Sequence, residues 1–148
     1  MKALVQRVSR ASVSVNDKIV GKIGPGLVVF LGVAQGDSKE DARYLANKVV
    51  NLRIFADDAS KFSLSALDTR GDILIISQFT LLADSRKGRR PDFTAAAPPD
   101  LAKELYEFFV EQVRATGIKV ETGLFLEHML VEIHNDGPIT ILLESRSR

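Results

Sequence analysis

Gly24-Pro25-Gly26-Leu27-Val28-Val29-Phe30-Leu31-Gly32-Val33 begins on turn residues and continues as an almost purely apolar run of strand length. A strand that alternates apolar and polar residues keeps one face in water, whereas a run without polar positions must be covered on both faces. Residues 27–33 are therefore expected to form a central strand. Upstream, Ala3-Leu4-Val5-Gln6-Arg7-Val8 and residues 11–15 are β-rich and partly alternating, and Asn16-Asp17-Lys18 supplies turn chemistry before residues 19–23, so a hairpin is expected to precede it. Downstream, Ser38 can cap a helix in which Ala42, Leu45, Ala46, Val49 and Val50 recur at three- and four-residue spacing. That helix should end near Leu52, where Arg53-Ile54-Phe55 starts a short strand.

Residues 73–76 read as a strand running into Ser77-Gln78-Phe79-Thr80-Leu81 and then a polar, basic loop. Pro98-Pro99-Asp100 opens a second long helix, with Leu101, Leu105, Phe108, Phe109 and Val113 on one face and Gly117 as its stop. Two or three strands should follow, around residues 119–122, 129–134 and 139–143. The pattern is a mixed α/β domain spanning residues 1–148, with about seven or eight strands and two main helices.

The chain has 148 residues, 45% of them hydrophobic and 26% charged, enough to bury a core. Its 20 Lys and Arg against 19 Asp and Glu leave a net charge of +1, so any polyanion must be met by a local patch. With no cysteine, disulfides, thiolate catalysis and cysteine metal sites drop out. Neither a secretion leader nor an apolar run of about 18 residues is present, which makes a cytoplasmic protein the expectation. No phosphate-binding loop, dinucleotide fingerprint, nucleophile elbow or His-rich metal spacing occurs, so no metal and no cofactor are expected. His128 and His134 both fall in strand-like segments and read as structural or surface residues.

Three segments can carry chemistry. In Asn135-Asp136-Gly137-Pro138-Ile139-Thr140, a Gly-Pro pair separates two strand-like runs. It is either a tight turn or a corner that aims carbonyls where no side chain could, since glycine reaches backbone angles closed to other residues, proline lacks an N–H and Gly-Pro can be cis at modest cost. Ser77-Gln78-Phe79-Thr80 offers two hydroxyls, an amide and a ring at a strand end. It is either a polar terminus that satisfies its own backbone or a cradle for a carbonyl or oxyanion, where losing one donor costs about 2.7–4 kcal/mol. Such a cradle has no strong base and suits an already labile ester. Arg86-Lys87-Gly88-Arg89-Arg90 holds four basic residues in five positions, either a solvated loop or a phosphate contact. Lys61 and Ser63 flank Phe62 in what reads as another loop, and Arg146 and Arg148 read as a frayed terminus.

Together, Ser77-Gln78-Phe79-Thr80-Leu81 and Asn135-Asp136-Gly137-Pro138-Ile139-Thr140 resemble the two signature motifs of the D-aminoacyl-tRNA deacylase family. Val5-Gln6-Arg7-Val8 with Ala11-Ser12-Val13, Arg53-Ile54-Phe55, Lys87-Gly88-Arg89-Arg90-Pro91-Asp92-Phe93, and Thr122-Gly123 with Phe125 extend the resemblance over essentially the whole chain. It departs at Phe62-Ser63, where many members have Met-Asn, and at Leu126-Glu127, where small residues are usual.

The resemblance implies a homodimer of β/β/α layers that hydrolyses D-aminoacyl-tRNA, with the Gly-cis-Pro element of one subunit entering the active site of the other. Gly137 and Pro138 would be the chirality filter, their carbonyls filling the space an L side chain needs. Glycyl-tRNA, which presents no side chain to reject, would also be cleaved. Ser77, Gln78, Phe79 and Thr80 would hold the terminal adenosine and the aminoacyl group, with Asn135, Asp136, Thr140 and Phe125 around the pocket. Arg86, Lys87, Arg89 and Arg90 would contact tRNA. The chemistry would lean on the ribose 2′-OH; Thr80 as a covalent nucleophile is the rival mechanism and needs a base the sequence does not show. A nucleic-acid-binding module without turnover and a general esterase are the alternative functions.

Overall fold

The structure is a computed structural model that describes residues 1–146. It contains β1 (Lys2–Val15), β2 (Lys18–Ile23), β3 (Gly26–Gly32), α1 (Lys39–Asn51), β4 (Phe55–Ala56), β5 (Phe62–Leu64), α2 (Ala66–Thr69), β6 (Asp72–Ser77), α3 (Pro99–Arg114), β7 (Val120–Thr122) and β8 (Leu130–Glu144), with a 3₁₀ turn at Phe79–Leu82. The main helices are the two expected ones, and α2 adds a single turn.

β1 organises the sheet. Its first half is antiparallel to β3, its second half is antiparallel to β2 through the Asn16-Asp17 turn, and β8 pairs with both halves. β6 continues the sheet parallel to β3, and β7 lies parallel to β6. Register shifts at Gln6/Val8 and Val8/Arg10 turn β1 over between its halves. Ala3 and Val5 consequently face the helices, while Val8, Ala11 and Val13 face a second core.

Residues 27–33 occupy the central position that their unbroken hydrophobicity requires. Leu27, Val29 and Leu31 of β3, with Ile73 and Ile75 of β6, pack under Leu45 and Val49 of α1 and Phe109 and Val113 of α3. Their alternates Val28, Leu74 and Ile76 pack against the β1–β2 hairpin and the start of β8. The result is one helical layer and two β layers, with the sheet coiled almost into closure. Gly21 of β2 marks the closest approach: a Cβ there would lie 2.8 Å from the Thr122 carbonyl of β7.

Two expectations are corrected. Residues 129–134 and 139–143 are not separate strands but parts of the one strand β8, and the Gly-Pro pair is a protrusion within it. Asn135 is opposite Val8 and Thr140 opposite Gln6, so residues 136–139 bulge out beside the single residue Arg7 while β1 holds the ladder on either side. Arg146 is not a frayed end. Its guanidinium meets Asp37 at 3.0 Å, and the buried Asp37 carboxylate also receives the α-ammonium of Met1 at 2.9 Å. Arg148 lies outside the described residues.

Candidate active site

β6 is buried on both faces through Ile76, and the sheet gives out at Ser77. The last rung is the Gln78 N–H donating to the Leu31 carbonyl at 2.8 Å. The chain then winds into the 3₁₀ turn, where the Leu81 N–H donates to Gln78 O at 3.2 Å and the Ala83 N–H to Thr80 O at 3.1 Å. The Phe79 and Thr80 N–H groups head this turn, where a helix has no internal acceptor for them. The Gln78 amide donates to Thr80 Oγ1.

Phe79 is 52% exposed, an unusual position for a phenylalanine, and its ring meets Phe93 edge-on at 5.0 Å. Phe93 is held there because the segment behind it is stitched to the end of β3: the Ala97 N–H donates to Val33 O and the Gln35 N–H to Ala95 O, each at 2.9 Å. Ser77, Gln78 and Phe79 form one wall of a groove of about 300 Å³, and Leu126, Glu127, His128 and Met129 form the other. Leu126 has φ +66°, a strained conformation for a bulky residue. His128 was expected in a strand; it lies in the turn before β8 and faces this groove. His134 is in β8, with Nε2 3.1 Å from Glu132 Oε1.

The corner at Gly137 and Pro138 is fixed by its flanks. Asn135 Oδ1 accepts from the Ile139 N–H at 2.9 Å, and Thr140 Oγ1 receives the amides of Asn135 at 3.0 Å and Gln6 at 3.1 Å. Arg7, in the family-like segment Val5-Gln6-Arg7-Val8 but with no sequence signal of a site role, ties the corner to the sheet. It donates to Asp136 O at 3.1 Å and to Ile54 O at 2.9 Å, and its guanidinium lies 5.4 Å from the centre of the Phe62 ring. Phe62 is exposed and lies under the Arg7 guanidinium, in a strand rather than the expected loop, while Ser63 donates to Asp57 Oδ2 at 2.6 Å. Gly137 has φ +134°, and the Gly137–Pro138 peptide bond is cis.

Within one chain the structure brings Ser77, Gln78, Phe79 and Thr80 to one strand end and gathers Asn135, Asp136, Gly137, Pro138 and Thr140 on the bulge of β8. The bulge residues do not line the Ser77 groove. Phe125 belongs to a larger groove of about 620 Å³ along α3, its ring centre 5.9 Å from that of Tyr106; Glu127 borders both grooves. Tyr106 lies in α3 and has no sequence signal that sets it apart. Its hydroxyl donates to Ile75 O at 2.7 Å, and burial raises its pKa above that of an ordinary tyrosine.

The basic loop is closed at its base by reciprocal Asp84–Asp92 backbone hydrogen bonds of 2.8 Å. Arg86 is engaged with Asp84 at 2.7 Å, and the hydrogen bonds from its side chain and backbone N–H hold the Asp84 carboxyl down at about 2. Lys87, Arg89 and Arg90 are exposed around Gly88.

The pattern of the family described as D-Tyr-tRNA(Tyr) deacylase matches residues 4–144. D-aminoacyl-tRNA deacylases of Desulforamulus reducens and Fervidobacterium nodosum are each 60% identical to the chain over 146 residues, covering 99% of it and 98% of their own length. Among solved structures, the c-Myc DNA Unwinding Element Binding Protein superposes with a TM-score of 0.92 at 42% identity, covering 97% of this chain and 98% of that one. A probable eukaryotic D-amino acid tRNA deacylase superposes with a TM-score of 0.84 at 20% identity, over the same shares of the two chains, and shows the shared fold. The family pattern and these relatives place the chain among hydrolases of carboxylic esters. The chain belongs to the D-Tyr-tRNA(Tyr) deacylase family, whose reaction is hydrolysis of the ester between a D-amino acid and tRNA.

Proposed function

We propose that this chain, as one deacylase domain over residues 1–148, carries out chiral proofreading in the cytoplasm: it releases free D-amino acid and tRNA and spares the L ester. The observation that carries the reading is the end of β6, where Ser77, Gln78 and the exposed ring of Phe79 line an open groove and the N–H groups of Phe79 and Thr80 head the adjoining turn. In this reading Phe79 packs on the terminal adenosine, and the N–H groups of Phe79 and Thr80 orient the ester carbonyl and stabilise its developing oxyanion. Water adds to the carbonyl carbon, the bond to the ribose oxygen breaks, and that oxygen takes a proton. The neighbouring ribose 2′-OH assists, because Thr80 Oγ1 accepts from the Gln78 amide and, among the described residues, meets no base that would activate it as a nucleophile.

The filter is Gly137 and Pro138 of a second copy, which enters the Ser77 groove across a homodimer. The bulge residues do not line the Ser77 groove of their own chain, which supports this division of labour. Asn135, Asp136 and Thr140 hold the corner, Phe125 lines the outer pocket, and Arg86, Lys87, Arg89 and Arg90 meet the phosphates of tRNA. Since the filter excludes an L side chain and does not read side-chain identity, glycyl-tRNA is also a substrate, including glycine mischarged on tRNA(Ala). No cofactor takes part.

The test is loss of the aminoacyl ester from matched D-tyrosyl-, L-tyrosyl- and glycyl-tRNA. The expected result is rapid loss of the D and glycyl esters and persistence of the L ester. Equal loss of D and L would make the protein a general esterase. The name of the c-Myc DNA Unwinding Element Binding Protein describes nucleic-acid binding, and binding of tRNA without loss of any ester would move this chain to that second reading.

A further inference from the structure

A second groove lies on the sheet surface, outside the site described above. Arg10 of β1 is opposite His134 of β8, and Ser12 is opposite both Glu132 of β8 and Lys22 of β2. Directly opposed residues, and residues two apart on a strand, share a face, so all five side chains stand together. With Ile19 they line a groove of about 160 Å³.

The charges in this groove are lopsided. Its one carboxylate, Glu132, is engaged by His134 at 3.1 Å and lies in the field of Arg10. Neither Arg10 nor Lys22 forms a salt bridge among the described residues. Two fixed cations and an imidazole thus surround one occupied acid, although like charges on neighbouring strands oppose pairing. Glu132 offsets only part of this positive charge, and an anion seated in the groove would offset the rest.

The position of the groove indicates which anion. Met129 and Val131 line the Ser77 groove, whereas Glu132 and His134 line this one. Successive strand residues point to opposite faces, so the two grooves lie back to back across the start of β8, which pairs with β1 on one side and with no other strand among the described residues. A polynucleotide whose 3′ end enters the first groove reaches the second by passing over that open edge.

We propose that Arg10, Lys22, Ser12 and His134 form a phosphodiester-binding site for the RNA backbone, a second anchor apart from the basic loop at residues 86–90. The proposal rests on tRNA being the substrate, but its test does not need turnover. Binding of uncharged tRNA is measured across a potassium chloride series for the wild type, for Arg10→Gln with Lys22→Gln, and for the charge-preserving Arg10→Lys with Lys22→Arg. Each lost phosphate contact lowers the log–log salt slope by roughly 0.7–0.9. The neutralised protein is expected to lose about one to two in slope, and the charge-preserving protein to keep the wild-type slope.

An unchanged slope in the neutralised protein overturns the site, as does an equal loss in the charge-preserving one. Inorganic phosphate is titrated in parallel while the His134 ring resonances are followed. A response to phosphate without any change in the tRNA slope assigns the groove to the free anion and overturns the RNA contact. A wild-type protein that binds tRNA but does not cleave its D ester would sink the deacylase reading and leave the slope comparison to decide this one.

Discussion

A side chain at position 137 would carry its Cβ 2.8 Å from Ile139 Cγ1 and 3.1 Å from the Ile139 nitrogen, at a φ of +134° that L residues rarely adopt. Gly137→Ala is therefore expected to cost about 1–3 kcal/mol in denaturant unfolding and to reduce hydrolysis of D-tyrosyl-tRNA, because the corner must rebuild to accept it. Arg7 acts on the same corner through charge. Its hydrogen bonds to the Ile54 and Asp136 carbonyls hold β8 against the sheet, and a hydrogen bond to a charged group contributes about 1.5–3 kcal/mol. Arg7→Ala should lower the unfolding free energy by that order in a denaturant titration and speed amide exchange at Ile139. Arg7→Lys should recover little, since an ammonium cannot reproduce the planar fork or its stacking over Phe62.

At the scale of elements, the Asp84–Asp92 loop is held by a carboxylate whose pKa is depressed to about 2 by hydrogen bonds from Arg86. A carboxyl with a folded pKa below its unfolded value stabilises above the unfolded value, near 3.8, and that contribution fades as pH falls toward 2. An NMR titration should show the Asp84 carboxyl titrating near 2 in the wild type and moving up toward 3.8 in Arg86→Gln. No such upward movement would mean that Arg86 does not close the loop. The junction of α3 with the sheet rests partly on the Tyr106 hydroxyl donating to Ile75 O. Tyr106→Phe leaves that carbonyl without this donor and should cost about 1 kcal/mol by thermal or chemical unfolding.

Across the whole molecule, Asp37 joins the beginning and the end of the described chain. The Met1 α-ammonium and Arg146 both meet its buried carboxylate, and Ser145 Oγ accepts from the same ammonium at 3.1 Å. Asp37→Ala would strand a buried cation, so a loss of about 3–5 kcal/mol is expected in equilibrium unfolding. If the active site is shared between two copies, mixing Gly137→Ala subunits with Thr80→Ala subunits should restore activity that neither has alone, since one mixed site then keeps both native halves. Failure of mixed dimers to recover activity would remove the shared site.

The amino-acid sequence by itself determined the main elements and the faces they bury. A run of seven residues with no polar position had to be central, the three- and four-residue spacing in α1 and α3 set the faces they bury, and Asn16-Asp17 closed the hairpin. It also placed the donor-rich end of β6, because a buried strand that meets Ser-Gln-Phe-Thr must leave the core there. Tertiary structure alone decided that β8 is one strand through its Gly-Pro bulge, since continuity is imposed by the ladder to β1 and not by local propensity. For the same reason the roles of Arg7, Phe62 and Asp37, and the meeting of Arg10, Lys22 and His134, were not legible in advance. Each depends on which residues stand opposite one another, and register is set by long-range pairing that no local pattern encodes.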